Sequence, residues 1–167
     1  MIAIEQAQVK DFPVIQLLAE KIWEDTYTGI LSNEQIDFML ENMYSQQALK
    51  KQVDEGIQFL VVRSDDEIVA FAGYSANDEL IKIHKLYIST QQQGKGIGRK
   101  IINHISELAI TQHIYLLELN VNRNNPALYF YQKLGFVIHQ SIDIPYFQFE
   151  MNDYIMRYSL TQSPEPT

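Results

Sequence analysis

Apolar and polar residues alternate along the first stretch, IAIEQAQ, as in a strand that buries one face. From Asp11 the period changes. In DFPVIQLLAEKIWEDTY, Phe12, Ile15, Leu18, Ile22 and Trp23 fall on one stripe, with Pro13 in the first turn, so a helix is predicted up to the break at Gly29. Ser32 with Gln35 three residues later is a capping-box start, and a second helical stretch runs through Ile36, Met39, Leu40 and Met43, breaks near Ser45 and ends at Gly56. QFLVVRS, EIVAFAGYS and LIKIHKLYIST follow as strands joined by SDD and NDE, an antiparallel meander. Beyond Gly98 the spacing of Ile101, Ile102, Ile105, Leu108 and Ala109 is helical, IYLLELNV is a strand, and PALYFYQKL is a helix opened by Pro126 and closed by Gly135. FVIHQSIDI and FQFEMNDYIMRYSL complete the chain as two long strands. The predicted class is α+β, an α/β/α arrangement: a mixed, mostly antiparallel twisted sheet of six to seven strands with about four helices.

A length of 167 residues suits one domain, expected over residues 1–160, with TQSPEPT (161–167) as a frayed tail. The apolar runs are too short to span a bilayer, and the start, MIAIEQAQVK, has neither a basic region nor an apolar core of a secretion signal, so a cytoplasmic location is expected. With 13 Lys and Arg against 21 Asp and Glu, the formal charge of −8 opposes general binding to nucleic acid and favours cationic ligands, although acidity also serves solubility. The chain has no cysteine, which excludes disulfides, thiolate metal sites and a thiol nucleophile. His84, His104, His113 and His139 show no metal-ligand spacing with one another or with Asp and Glu, so no metal is expected.

The stretch QQQGKGIGRK, Gln91 to Lys100, lies between a predicted strand and a predicted helix. Glycines there let several N–H groups converge where the helix's positive end also favours an anion, and Lys95, Arg99 and Lys100 add charge; a plain connector is the competing account. A P-loop fails, because Arg99 stands where its second glycine is required. The dinucleotide fingerprint fits at Gly94 and Gly96 but again meets Arg99 in place of its third glycine, and Glu118 downstream is mid-strand.

Gln93, Gly94, Lys95, Gly96, Ile97 and Gly98 together match the Q/R-x-x-G-x-G/A loop of the GNAT family of N-acetyltransferases. Asn124, Ala127, Tyr131 and the run Lys133 to Phe136 resemble that family's N-x-x-A-x-x-x-Y-x-K-L-G-F segment at the family's distance from the loop. The resemblance spans the first strand to Leu160. It implies that acetyl-CoA is the co-substrate, lying where LYIST and LLELNV splay apart. The main chain of Leu86, Tyr87 and Ile88 would then pair with the pantetheine arm, the amides from Gly94 to Arg99 would hold the diphosphate, and Asn124 would bond the arm from the other side. Position alone also allows Asn124 to cap the following helix.

Without cysteine an acetyl-enzyme thioester is unavailable, so the amine is expected to attack the thioester directly while both substrates are bound. An amine with a pKa of about 10 must first lose a proton, the carbonyl oxygen needs a donor as charge develops, and the departing thiolate benefits from a proton. By resemblance, Tyr131 is the acid and the Leu86 amide the oxygen donor. His84, which strand alternation turns to the same face as Leu86, is the candidate base where several relatives carry glutamate; a lone strand histidine also reads as structural.

The family grips its acceptor with the loop between the first helices and with the last strands. Trp23, Glu24, Asp25 and Tyr27 suit a cation, as does Tyr146 beside Phe147, whereas a core Trp23 and a solvated helix end are the favoured account of the first group. FEMNDYIMRYSL resembles the corresponding strand of polyamine acetyltransferases of the PaiA kind. A polyamine or other small amine is therefore the expected acceptor, with protein termini or lysines as the alternative; a non-enzymatic acyl-CoA sensor and a dinucleotide oxidoreductase are more distant. Pairing through the C-terminal strands is compatible with a homodimer.

Overall fold

The computed structural model describes residues 1–160, and the predicted tail lies outside the described residues. The first strand, β1 (Ile2–Gln6), half-buries Ile2 and Ile4 and exposes the residues between them, as its alternation requires. A single 3-10 turn leads into α1 (Phe12–Tyr27). Asp11 closes that turn: one carboxylate oxygen accepts the Gln8 amide at 2.8 Å and the other the Arg63 guanidinium at 2.9 Å. Burial raises the Asp11 carboxyl, but these bonds override it and leave it below the ordinary value.

Ser45 decides the helix count. Its backbone is extended (φ −60°, ψ 154°), so α2 (Asn33–Tyr44) stops there, while its hydroxyl accepts the Ala48 amide at 3.1 Å and starts α3 (Gln46–Asp54). Together with α4 (Ile97–Thr111) and α5 (Ala127–Leu134) this gives five α-helices among the described residues, one more than the pattern suggested.

The remaining strands are β2 (Gln58–Ser64), β3 (Glu67–Ala76), β4 (Ile81–Ile88), β5 (Leu116–Asn122), β6 (Val137–Tyr146) and β7 (Phe149–Ser159). They form a mixed seven-stranded sheet in the order β1-β2-β3-β4-β5-β7-β6. Asp65 and Asp66, both at positive φ, make the tight turn between β2 and β3 that the SDD signal predicted. β4 and β5 pair in parallel at Ile81–Ile83 with Leu117–Leu119.

The Cα packing divides the chain into two compact units. The first comprises Met1–Ser75 and His84–Gly98, the second Ala76–Ile83 and the chain from Arg99 onward. Ile15, Ala19, Leu49, Val61 and Phe71 are fully buried in the first; Ile81, Ile101, Ile105, Leu117 and Met156 are fully buried in the second. Gly135 ends α5 in the left-handed region (φ +112°), and a Cβ built there would lie 2.6 Å from a Tyr158 ring carbon. Both conformation and space demand glycine in the KLGF run.

Candidate active site

In the first unit, β4 ends at Ile88, and the Ser89 amide donates to Val69 O at 2.8 Å. Gln93 then folds back, its side-chain amide donating to Ile88 O at 3.2 Å. Gly94 (φ +79°) and Gly96 (φ +82°) are left-handed, and a Cβ on either would meet nothing within 4 Å. Glycine is needed here for backbone conformation rather than for lack of room.

Among the described residues, no main-chain hydrogen bond outside helices and strands is donated by an amide from Gly94 to Gly98. Ile97 and Gly98 are buried and anchor the turn; Gly94, Lys95 and Gly96 are exposed. Lys95, Arg99 and Lys100 are also exposed, and none forms an ion pair among the described residues. Unused donors at a helix start beside unpaired cations suit a diphosphate.

Strand alternation in β4 is as predicted, with His84 and Leu86 on one face. His84 is exposed, and its Nε2 lies 2.7 Å from Ser75 Oγ; Leu86 and Ile88 are half-buried. On the other face, the Tyr87 ring sits 5.4 Å from Phe71 and 5.8 Å from Tyr44. Its side chain thus belongs to an aromatic cluster, and its main chain is what it can offer a ligand.

That cluster holds a residue the sequence reading passed over. Lys85 is 8% exposed, and its Nζ lies 4.1 Å from the centroid of the Tyr44 ring, without an ion pair among the described residues. Burial lowers its pKa to about 7. Trp23 packs against Tyr27 (4.5 Å) and Tyr44 (5.8 Å) in the same cluster. Both Trp23 and Tyr27 are buried, and the indole Nε1 has no hydrogen-bond partner among the described residues. Glu24 and Asp25 lie on the exposed side of α1.

In the second unit, Tyr131 is buried on α5 between Phe130 (5.3 Å) and Phe136 (5.7 Å), while Tyr129 is exposed. Burial pushes the Tyr131 phenol above its ordinary value. Asn124 is exposed, and its side chain makes no hydrogen bond among the described residues; the Ala127 amide at the start of α5 donates to Asn125 Oδ1 at 2.9 Å. Lys133 is exposed. Tyr146 is half-buried at the end of β6, 5.0 Å from Phe147, and burial raises its phenol.

A charged network crosses the sheet in this unit. Lys82 on β4 and Arg157 on β7 close on the two oxygens of Glu118 on β5, at 3.0 and 2.9 Å, and Lys82 also bonds Asn120. Burial alone would raise the Glu118 carboxyl, but its two partners hold it below the ordinary range. These residues are far apart in sequence, and no motif joins them. Among the described residues, no group of three or more His, Asp or Glu is placed to hold a metal ion, and no helix is long and apolar enough to cross a membrane.

The strand order and the glycine turn opening α4 are those expected of an acyl-CoA N-acyltransferase. The profile of the acetyltransferase (GNAT) domain family matches residues 28–143, and the chain belongs to that family: it is an acetyltransferase that uses acetyl-CoA as co-substrate. The spermidine N(1)-acetyltransferase of Thermoplasma acidophilum is 25% identical over 146 residues, covering 84% of this chain and 91% of that protein. The streptothricin acetyltransferase of Streptomyces lavendulae is 32% identical over 83 residues, which cover 47% of this chain and 43% of that protein. The fold is shared with the PaiA N-acetyltransferase from Thermoplasma acidophilum, solved in complex with coenzyme A, at a TM-score of 0.82 and 24% identity over 95% of this chain and 99% of that one.

Proposed function

We propose that this enzyme acetylates a primary amine of a polyamine or another small cationic amine, by direct attack while both substrates are bound. The observation that carries the reading is the turn from Gly94 to Gly98, whose left-handed glycines and unused amides form a seat for a diphosphate. The relationship to a spermidine acetyltransferase over most of both chains and the net charge of −8 support the acceptor class.

In this reading residues 1–160 act as one catalytic domain, in the cytoplasm. The amides from Gly94 to Arg99 hold the diphosphate, and Lys95 and Lys133 add charge. Gln93 braces the turn, and the main chain of Leu86, Tyr87 and Ile88 pairs with the pantetheine arm as an added strand. The unengaged Asn124 side chain bonds the arm. Bound acetyl-CoA supplies an activated thioester.

The protein's part is proton transfer and orientation. His84, its ring oriented by Ser75, takes the proton from the acceptor ammonium directly or through water. The Leu86 amide donates to the carbonyl oxygen as charge builds. Tyr131 gives a proton to the departing sulfur; burial raises its phenol and makes it a weaker acid, so its placement rather than its acidity carries this role. Glu24 and Tyr146 are assigned to the acceptor's cationic groups, and the buried Trp23 and Tyr27 fix the end of α1 that carries Glu24.

Acetyl-CoA consumption measured against panels of polyamines, monoamines and peptides tests the reading. Turnover is expected with the polyamines. Acetylation confined to peptide termini or lysines would replace this acceptor class with a protein one, and failure to bind acetyl-CoA would remove the site itself.

A further inference from the structure

Lys82 on β4, Glu118 on β5, Arg157 on β7 and Val137 on β6 are register partners in turn, so they form one row across the sheet of the second unit. Side chains of such a row share a face. Two cations closing on one carboxylate leave the row with a single positive charge in excess, in a chain whose formal charge is −8. That excess reaches the surface: the Arg157 side chain is 35% exposed, against 14% for Glu118. The Arg157 Nε donates to Glu118, while its two terminal nitrogens make no hydrogen bond among the described residues.

Arg157 also borders an opening. Together with Leu116, Val137, Ile138, His139 and Ser159 it lines a surface cleft of about 530 Å³, and no Asp or Glu lines it among the described residues. The β6–β7 register shifts between Ile138 and Gln140, so His139 is the extra residue of a bulge, and Val137, Ile138 and His139 follow one another along the cleft. Val137 and Ile138 are exposed apolar side chains beside a guanidinium. None of these residues has a part in the chemistry proposed above.

We propose that this cleft binds a small organic monoanion, a carboxylate carrying a short apolar chain, with its head on Arg157 and its chain along Val137 and Ile138. A planar guanidinium with two uncommitted donors matches the two oxygens of a carboxylate. One negative charge balances the row, whereas a phosphate dianion overshoots it. His139 and Ser159 add donors, and the exposed aliphatic pair gives the chain a surface to cover. The site is separate from the coenzyme turn and does not depend on which amine is acetylated.

Amide NMR spectra of the isotope-labelled full chain, titrated with hexanoate, acetate, 1-hexanol and inorganic phosphate, test the assignment. Hexanoate should shift the Ile138, His139, Arg157 and Ser159 signals saturably. Acetate, lacking the chain, should bind about tenfold more weakly or worse, and 1-hexanol and phosphate should also bind more weakly than hexanoate. Arg157→Gln should weaken hexanoate binding about tenfold. Val137→Asp puts a carboxylate at an exposed position opposite Arg157, should weaken it as much, and serves if the Gln variant does not fold. No saturation at millimolar hexanoate, shifts centred elsewhere, any of the other three compounds binding as tightly as hexanoate, or a folded variant that binds as wild type does each overturns the assignment.

Discussion

Replacing Lys85 by methionine should make the protein more stable. The lysine pKa falls from 10.5 free to about 7 in the fold, because its ammonium is buried, with no carboxylate partner among the described residues. At about 1.4 kcal/mol per tenfold in proton affinity, that fall corresponds to at most about 5 kcal/mol of cost to the charged form. The Tyr44 ring returns about 1–2 kcal/mol of it, so Lys85→Met, which keeps the volume and discards the charge, is expected to gain about 3 kcal/mol at pH 7 and below. The sign with pH follows from linkage. Below about 7 folded and unfolded chains both carry the proton and the cost is complete; between about 7 and 10.5 the unfolded chain binds more protons, so wild-type stability rises with pH. Urea denaturation of both proteins at several pH values between 6 and 10 measures this. The gap should be widest at pH 6 and narrow steadily upward. A variant no more stable than wild type, or a gap that does not change with pH, would refute the claim that an uncompensated charge sits in the aromatic cluster.

Other substitutions test the proposed chemistry and the fold. His84→Ala should abolish the limb of the pH-rate profile that rises through the imidazole range; an unaltered profile would remove His84 as base. Tyr131→Phe should lower kcat by about a hundredfold with little change in acetyl-CoA affinity, as single-turnover measurement can separate. Gly96→Ala finds room for its methyl but not a favoured backbone, so the turn should reshape and acetyl-CoA affinity fall about tenfold, read by titration calorimetry, while the fold survives. Gly135→Ala meets both left-handed strain and the Tyr158 ring, and should cost about 2 kcal/mol or more in denaturant unfolding without touching the coenzyme turn.

The order of elements was legible because each rests on local periodicity or on a residue with one conformational use. Ser45 marked the break between α2 and α3, and the turn before α4 announced itself through glycines whose φ values other residues avoid. What stayed hidden depends on partners distant in sequence. Glu118 gave no sign that Lys82 and Arg157 would share its two oxygens. Lys85 had left a trace: Ile81, Ile83, Lys85 and Tyr87 share one strand face, so a cation was written into an apolar row, yet lysine is so commonly exposed that the pattern went unread. Position alone allowed Asn124 to cap α5, but the Ala127 amide at its start donates to Asn125 instead.

The contact between Gly135 and Tyr158 also constrains how this chain can diverge. A ring carbon from the last strand stands where a methyl group on the helix terminus would have to go, so the two sites are not independent. A lineage acquiring a side chain at 135 must first trim 158, and one that has trimmed 158 loses part of what kept its partner bare.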